Sequence, residues 1–231
     1  MNEPLLLLPG MMCDARLFAP QVAEFASKRH IVAMPMTGRT STKELAENIL
    51  LDAPERFALL GLSMGGIVAM EIIKYAPERV TRLALLDTNP MADAPERKLI
   101  RDQQIKRVRA GELRTIMRDE MKPNYLAEGK NKNKILELCM TMAESLGPQV
   151  FIEQSKALQT RPDQCDSLKA VNVPTLIACG EHDSLCPLEK HQLMNELVAG
   201  SRLCVIPGAG HLPTLEQSEL MNQELMQWLE A

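Results

Sequence analysis

The sequence predicts an α/β architecture: a mainly parallel, doubly wound sheet with a helical insertion. Three observations predict it. Six short apolar runs, each bounded by Gly, Pro or polar residues, read as buried strands. Amphipathic stretches alternate with most of them, which calls for a parallel sheet covered on both faces. One stretch, residues 90–171, breaks that rhythm and carries helical patterns only. The expected organisation is a core of residues 1–89 and 172–231, with 90–171 as a helical cap over one sheet edge.

The elements follow in order. LLLLPG (5–10) is a short apolar run closed by Pro-Gly, a strand ending in a turn. RLFAPQVAEFAS (16–27) has apolar residues at helical spacing, with Pro20 in or near the first turn. HIVAMPM (30–36) is the second strand. Thr42, with Lys43 and Glu44, opens the helix ELAENILLDA. RFALLGL (56–62) is the third strand, and SMGGIVAMEIIKYAPERV starts as a helix and stops near Pro77. RLALLDT (82–88) and VPTLIACG (173–180) are the fourth and fifth strands. SLCPLEKHQLMNELVAG is a helix ending at Gly200, SRLCVIPG (201–208) the sixth strand, and LEQSELMNQELMQWLEA the closing helix.

Within 90–171 the helical patterns are ERKLIRDQQIKRVRA, LRTIMRDEM, KNKILELCMTMAESLG and QVFIEQSKALQT. Five of the 15 methionines, Met91, Met117, Met121, Met140 and Met142, lie in this block or at its border. Methionine fills irregular apolar shapes, so the block reads equally as an ordinary helical subdomain and as a lid over an apolar substrate.

The bulk properties exclude several classes. The chain has 231 residues, 45% hydrophobic and 24% charged, enough for one sizeable core. A net charge of -4 with no long cationic run gives no footprint for nucleic acid. The most basic stretch, residues 97–114, mixes in acids and reads as a solvated helix face. No segment approaches the ~20 apolar residues that span a bilayer. The N-terminus lacks the basic and apolar regions of a secretory leader. Six scattered cysteines form no CxxC and no zinc spacing, which suits a reducing cytoplasm and small core side chains.

The candidate chemistry starts at Gly61-Leu62-Ser63-Met64-Gly65, a G-x-S-x-G sequence between a predicted strand and a predicted helix. As a plain helix cap, Ser63 would need neither glycine. As a nucleophile on a tight strand-to-helix turn it needs both, because side chains there would crowd the turn. A serine hydroxyl also needs a base. Four histidines exist. His30 precedes a strand and is expected at the surface. His191 lies mid-helix among charged residues and is expected to be solvated. His182 sits beside an acid in GEHDSLCP. His211 is in IPGAGHLPTLEQ, a loop after the last strand, bent by Gly208 and Gly210. That loop can reach over the C-terminal sheet edge, which singles out His211. Asp183, directly after the fifth strand, is the expected carboxylate partner, with Glu181 and Asp87 as rivals. The chain order Ser63, Asp183, His211 is the order described for a sheet carrying such a turn.

These segments together resemble the α/β-hydrolase superfamily over essentially the full length. Those that match are LLLLPG with its following loop, GLSMGG, YAPERVTRLALLDT, VPTLIACGEHDSLCP and PGAGHLPTLEQ. Within it the sequence is most similar to small capped carboxylesterases and enol-lactonases. The resemblance implies Ser63, Asp183 and His211 as catalytic triad and the backbone N–H groups of Met11 and Met64 as oxyanion hole. The family usually has His-Gly-x at the first donor loop. Pro9-Gly10-Met11 stands here, so the bracing bonds of that histidine are absent, and Cys13 and Asp14 are candidates to brace the loop or line the pocket. Many relatives begin with a β-hairpin, so the sheet is expected to be about two strands shorter on that side.

The expected reaction is acyl transfer from a small ester to water, with no metal or organic cofactor required. Enol-lactone hydrolysis, carbon–carbon bond hydrolysis and acyl transfer fit the same triad. A non-turnover ligand sensor on this fold is the alternative of another class. The methionine-rich insertion suggests a modest acyl or aryl substrate rather than a charged polymer.

Overall fold

The computed structural model describes residues 2–231. Its strands are β1 (Asn2–Leu8), β2 (Arg29–Ala33), β3 (Phe57–Leu62), β4 (Val80–Leu86), β5 (Thr175–Gly180) and β6 (Arg202–Ile206). They form one sheet in the order β2-β1-β3-β4-β5-β6, and every neighbouring pair is parallel. All six expected strands are present, within two or three residues of the expected bounds.

Helices link them. α1 (Ala19–Phe25) joins β1 to β2, α2 (Thr42–Asp52) joins β2 to β3, and α3 (Met64–Tyr75) joins β3 to β4. Between β4 and β5 lie α4 (Pro95–Arg109), α5 (Leu113–Ile116), α6 (Lys132–Gln159) and α7 (Cys165–Lys169). α8 (Leu188–Leu197) leads to β6, and α9 (Pro213–Glu216) and α10 (Ser218–Glu230) close the chain.

Strand alternation divides the core. Leu6, Leu8, Leu59, Leu83, Leu85 and Ile177 pack on one face with α2, α3 and α8. Leu5, Leu7, Leu60, Leu62, Leu86 and Leu176 pack on the other with α1 and α10. Every β3 residue is buried, as a central strand covered on both faces requires. Each fully buried leucine contributes roughly 1.5–3 kcal/mol from burial. The helical block feeds both layers, with Phe151 and Met117 on the first and Tyr125, Cys139 and Met142 on the second.

α6 is kinked where two helical patterns met in the sequence. Gly147 takes φ 80°, ψ 177°, and Pro148 follows it. α2 begins at Thr42, as expected, and is capped by Ser41, whose hydroxyl oxygen accepts from Glu44 N–H at 3.2 Å while Glu44 reaches back to Thr40 N–H.

The sheet fixes the site. β1, β3 and β4 end within one residue of each other, with Leu8 opposite Gly61 and Leu62 opposite Leu86, and β5 runs two residues further, Leu86 being opposite Ala178. The chain winds outward from β1 to β2 and returns to β3 on the other side of β1. A parallel sheet opens a crevice beyond its strand ends at that reversal.

Candidate active site

Ser63 immediately follows β3 with φ 55°, ψ -116°, a left-handed conformation costly for a side-chain-bearing residue. The flanking glycines show why it is tolerated. A Cβ on Gly61 would lie 2.3 Å from Gly65 O, and one on Gly65 would lie 2.0 Å from Leu8 O. One on Gly66 would meet the Thr88 side chain at 2.6 Å. The turn is held from outside as well: Ser63 N–H donates to Leu86 O at 2.9 Å, and Thr88 Oγ1 donates to Ser63 O at 2.8 Å. The Ser63 hydroxyl makes no capping bond to α3. It meets His211 Nε2 at 2.9 Å.

His211 lies on the loop after β6, and its own N–H donates to Tyr125 O at 2.7 Å. Glu216 braces that loop, accepting from Gly210 N–H at 2.9 Å, Leu212 N–H at 2.9 Å and Ala127 N–H at 2.8 Å. Burial pushes the Glu216 carboxyl up, while those three bonds pull it back. His211 Nδ1 is 2.9 Å from Asp183 Oδ2. The other oxygen, Asp183 Oδ1, accepts from Leu185 N–H at 2.9 Å and Cys186 N–H at 3.1 Å. Burial works to raise the Asp183 carboxyl, but the adjacent imidazole and these hydrogen bonds outweigh it and hold the group below the usual range. A carboxylate only accepts, so Nδ1 carries the proton and Nε2 is free to accept from Ser63.

Neither rival acid bonds His211. Glu181 is exposed, 3.7 Å from His182 and accepting from Gly208 N–H at 2.9 Å. Asp87 is fully buried with φ 45°, and its Oδ1 accepts from Gly180 N–H at 2.9 Å. Burial raises its carboxyl well above the usual range, and nearby Asp183 raises it further. Asp87 thus lies beside Asp183, and its surroundings favour the protonated form.

The histidine expectations divide. His30 and His182 are exposed. His191 is not solvated as expected: it is fully buried, because α8 lays that face on the sheet. Its Nε2 accepts from Thr88 N–H at 3.1 Å, and burial lowers its pKa to about 4. Of its charged neighbours, Glu189 is exposed and Lys190 is only half-buried.

Met11 and Met64 line the cavity above Ser63. A Cβ on Gly10 would lie 3.4 Å from Ser63 Cβ, so the loop after β1 runs directly past the serine. Met12 N–H is committed to Gln154 Oε1 at 2.8 Å, and Gln154 Nε2 donates to Met36 O at 2.8 Å. Gln154, from α6, thus braces the loop that Pro9 leaves without a histidine. Asp14 instead caps the short turn after it and pairs with Arg16. Cys13 lines the cavity.

Asp183, Cys186 and His211 present possible metal-ligand atoms within 4.8 Å of one another, a grouping no sequence spacing announces. Asp183 and His211 already bond each other, and burial lifts the Cys186 thiol to about 12, away from the thiolate a metal needs. The donor set fits the hydrogen-bonded relay better than a cation.

The cavity measures about 360 Å³ and lies between Ser63 and the helices that follow β4. Apolar walls come from Met91, Ile100, Met121 and Leu158, but Arg97, Arg101, Arg161 and Lys190 also reach it. The basic helix face expected to be solvated is thus partly turned inward. Among the described residues, no helix is long and apolar enough to cross a membrane.

Comparison with known proteins agrees with this architecture. A pimeloyl-[acyl-carrier protein] methyl ester esterase of Pectobacterium carotovorum is 27% identical over 252 residues, spanning 100% of this chain and 95% of that protein. A solved thermophilic esterase from Thermogutta terrifontis, described with malate bound, superposes with a TM-score of 0.91 at 29% identity, over 100% of this chain and 90% of that one. An enol-lactonase from Burkholderia xenovorans shares the fold, with a TM-score of 0.89 at 18% identity over 100% and 92% of the two chains. The family model described as "Alpha/beta hydrolase family" matches residues 5–224, and the chain belongs to that family.

Proposed function

We propose that this chain is a serine carboxylesterase acting on a small ester. The observation that carries the reading is the continuous relay from Asp183 Oδ2 through His211 to Ser63 Oγ, 2.9 Å at each link, beneath a partly enclosed cavity. The esterase names of the relatives at 27% and 29% identity support it.

His211 Nε2 takes the Ser63 proton as Oγ attacks the ester carbonyl. Asp183 holds the imidazole in the productive tautomer and stabilises the imidazolium. The backbone N–H groups of Met11 and Met64 receive the oxyanion, helped by the positive end of α3. Imidazolium protonates the departing alkoxide. Water then enters, gives its proton to His211 and cleaves the acyl-enzyme. The block 90–171 acts as the cap that shapes the acyl and alcohol sites.

The test is hydrolysis of short p-nitrophenyl esters by the native chain and by Ser63→Ala. The native chain turns them over, and the variant loses about 10⁴- to 10⁶-fold in kcat. A folded native chain without turnover sinks the esterase reading. Turnover of an enol-lactone by the same protein, with no ester hydrolysis, moves the assignment to lactonase.

A further inference from the structure

The cavity wall holds more positive charge than it neutralises. Of its two carboxylates, Glu120 is engaged by Arg107 and by Gln104 Nε2 at 3.1 Å. Asp93 is left to serve two guanidiniums. Its side chain is 3% exposed, with Arg101 Nε at 2.8 Å from Oδ2 and an Arg161 Nη2 at 3.4 Å from Oδ1. Arg97 and Lys190 line the same cavity, and neither has a carboxylate within 4.0 Å among the described residues.

Most of the guanidinium donors are unused. Each guanidinium has five N–H groups. The Arg161 side chain is 9% exposed, and its Nε has no acceptor. Its other contact is Asn89 Oδ1 at 3.5 Å. Arg101 Nη1 meets only Met11 Sδ, at 3.8 Å. A buried cation short of acceptors is costly. Pinning α4 against the end of α6 needs one Asp–Arg pair, not two arginines on one carboxylate. The cluster also adjoins the site: Met11 belongs to the loop beside Ser63, and Asn89 follows Thr88, which bonds Ser63 O.

We infer, given the Ser63 esterase chemistry proposed above, that the substrate is a half-ester of a short dicarboxylic acid, its free carboxylate held by Arg101 and Arg161. A planar carboxylate matches a guanidinium fork through two parallel hydrogen bonds. It would supply the acceptors that Arg161 lacks and a second negative charge for two cations. Hydrolysis then cleaves the acyl–oxygen bond with one water, releasing the dicarboxylate and an alcohol. The apolar walls contact the methylene chain between the two ends.

The experiment measures kcat/KM at pH 7 for monomethyl esters of four- to seven-carbon α,ω-diacids. Each is paired with the methyl ester of the corresponding monoamide, which has the same shape without the charge. The carboxylate form is expected to be favoured about 10- to 100-fold, as charge-assisted bonds of this kind provide. In Arg101→Gln and in Arg161→Gln that ratio falls toward one. Since Arg161→Gln leaves buried Asp93 with one partner, the double variant Asp93→Asn, Arg161→Gln is read beside it. A ratio near one in a native chain that hydrolyses p-nitrophenyl butyrate overturns the carboxylate site and leaves the esterase reading standing. A preference that survives in all the arginine variants overturns it too. If no ester is cleaved, calorimetry with glutarate decides. Saturable binding weakened tenfold or more in the arginine variants sustains the anion site without the esterase. Absent binding, or tighter binding of inorganic phosphate, overturns it.

Discussion

The strand-end turns and the helical block above them meet at one cavity, yet they are built by different rules. At the strand ends, backbone fixes the geometry. Ser63 stands where it does because Gly61, Gly65 and Gly66 let three chain segments approach closer than any Cβ allows, and Leu86 and Thr88 tie the turn from the neighbouring strand. In the helical block, side chains fix it. Arg101 and Arg161 reach the cavity, and Gln154 reaches the loop beside it, through the docking of α4 and α6, which no local turn dictates. On the proposed reading, the first region sets what reaction is possible, and the second sets what enters.

The sharpest break of that contrast is at the proposed acid. Asp183→Asn leaves the fold intact but removes the acceptor that holds His211 in its tautomer, so kcat falls about 10⁴-fold. Asp87→Asn changes a buried acid that makes no bond to His211 and costs far less. Steady-state kinetics of the two variants on one ester checks this. A loss confined to Asp87→Asn would reverse the assignment of the two carboxyls.

Two glycines with positive or crowded backbone test the same contrast through stability. In Gly65→Ala the new Cβ falls 2.0 Å from the Leu8 carbonyl oxygen, and backbone must move. The cost is expected to exceed the ~3 kcal/mol at the upper end of ordinary overpacking. Gly147→Ala, at the kink in α6, has open space around it and only its φ of 80° to resist it, for about 1–3 kcal/mol. Urea unfolding midpoints compare them. Equal costs would mean that the turn is not sterically locked.

The same division decides what could be read from sequence. All six strands were legible because each is a short apolar run with a turn residue at its end. Ser63 follows β3 directly, and Asp183 and His211 lie three and five residues beyond the ends of β5 and β6, so the sequence could place all three candidates at one sheet edge. The break of α6 was legible in Gly147-Pro148. His191 was misread, since its charged neighbours suggested a solvated helix face, whereas of these Glu189 alone is exposed, Lys190 lines the cavity and His191 is buried against the sheet. Glu216, Gln154 and Arg161 were not identified, because each has a partner far along the chain: 89 residues separate Glu216 from Ala127, 142 separate Gln154 from Met12, and 72 separate Arg161 from Asn89. Nothing in local spacing encodes such contacts.

His191 gives a pH prediction for the strand-end region. Its folded-state pKa of about 4 lies below the usual 6.5, so the unfolded chain binds more protons between those values. Its contribution to stability is therefore complete above pH 6.5 and is lost as pH falls to about 4, amounting to about 3 kcal/mol. His191→Gln should flatten that part of the stability profile. Urea melts at pH 4.5 and 7 measure it, and an unchanged difference between the two would mean that His191 is already charged in the fold.

Gln154 is where the two regions stop being separate. It sits on α6, yet its amide closes the gap between Met12 N–H and Met36 O, holding the loop that carries Met11, the proposed oxyanion donor. Gln154→Leu keeps the volume and removes both bonds. If the block only shapes the entrance, the variant should raise KM and spare kcat. If the loop takes its alignment from α6, kcat should fall by about 10- to 100-fold, less than the 10²- to 10³-fold of losing a donor outright. KM for a small ester would then change little, since alignment of the oxyanion donor acts on the transition state. The second outcome is expected, because Pro9 has no side-chain donor or acceptor to take over the brace. Retained kcat in a folded Gln154→Leu variant would return the whole of the catalytic geometry to the strand ends.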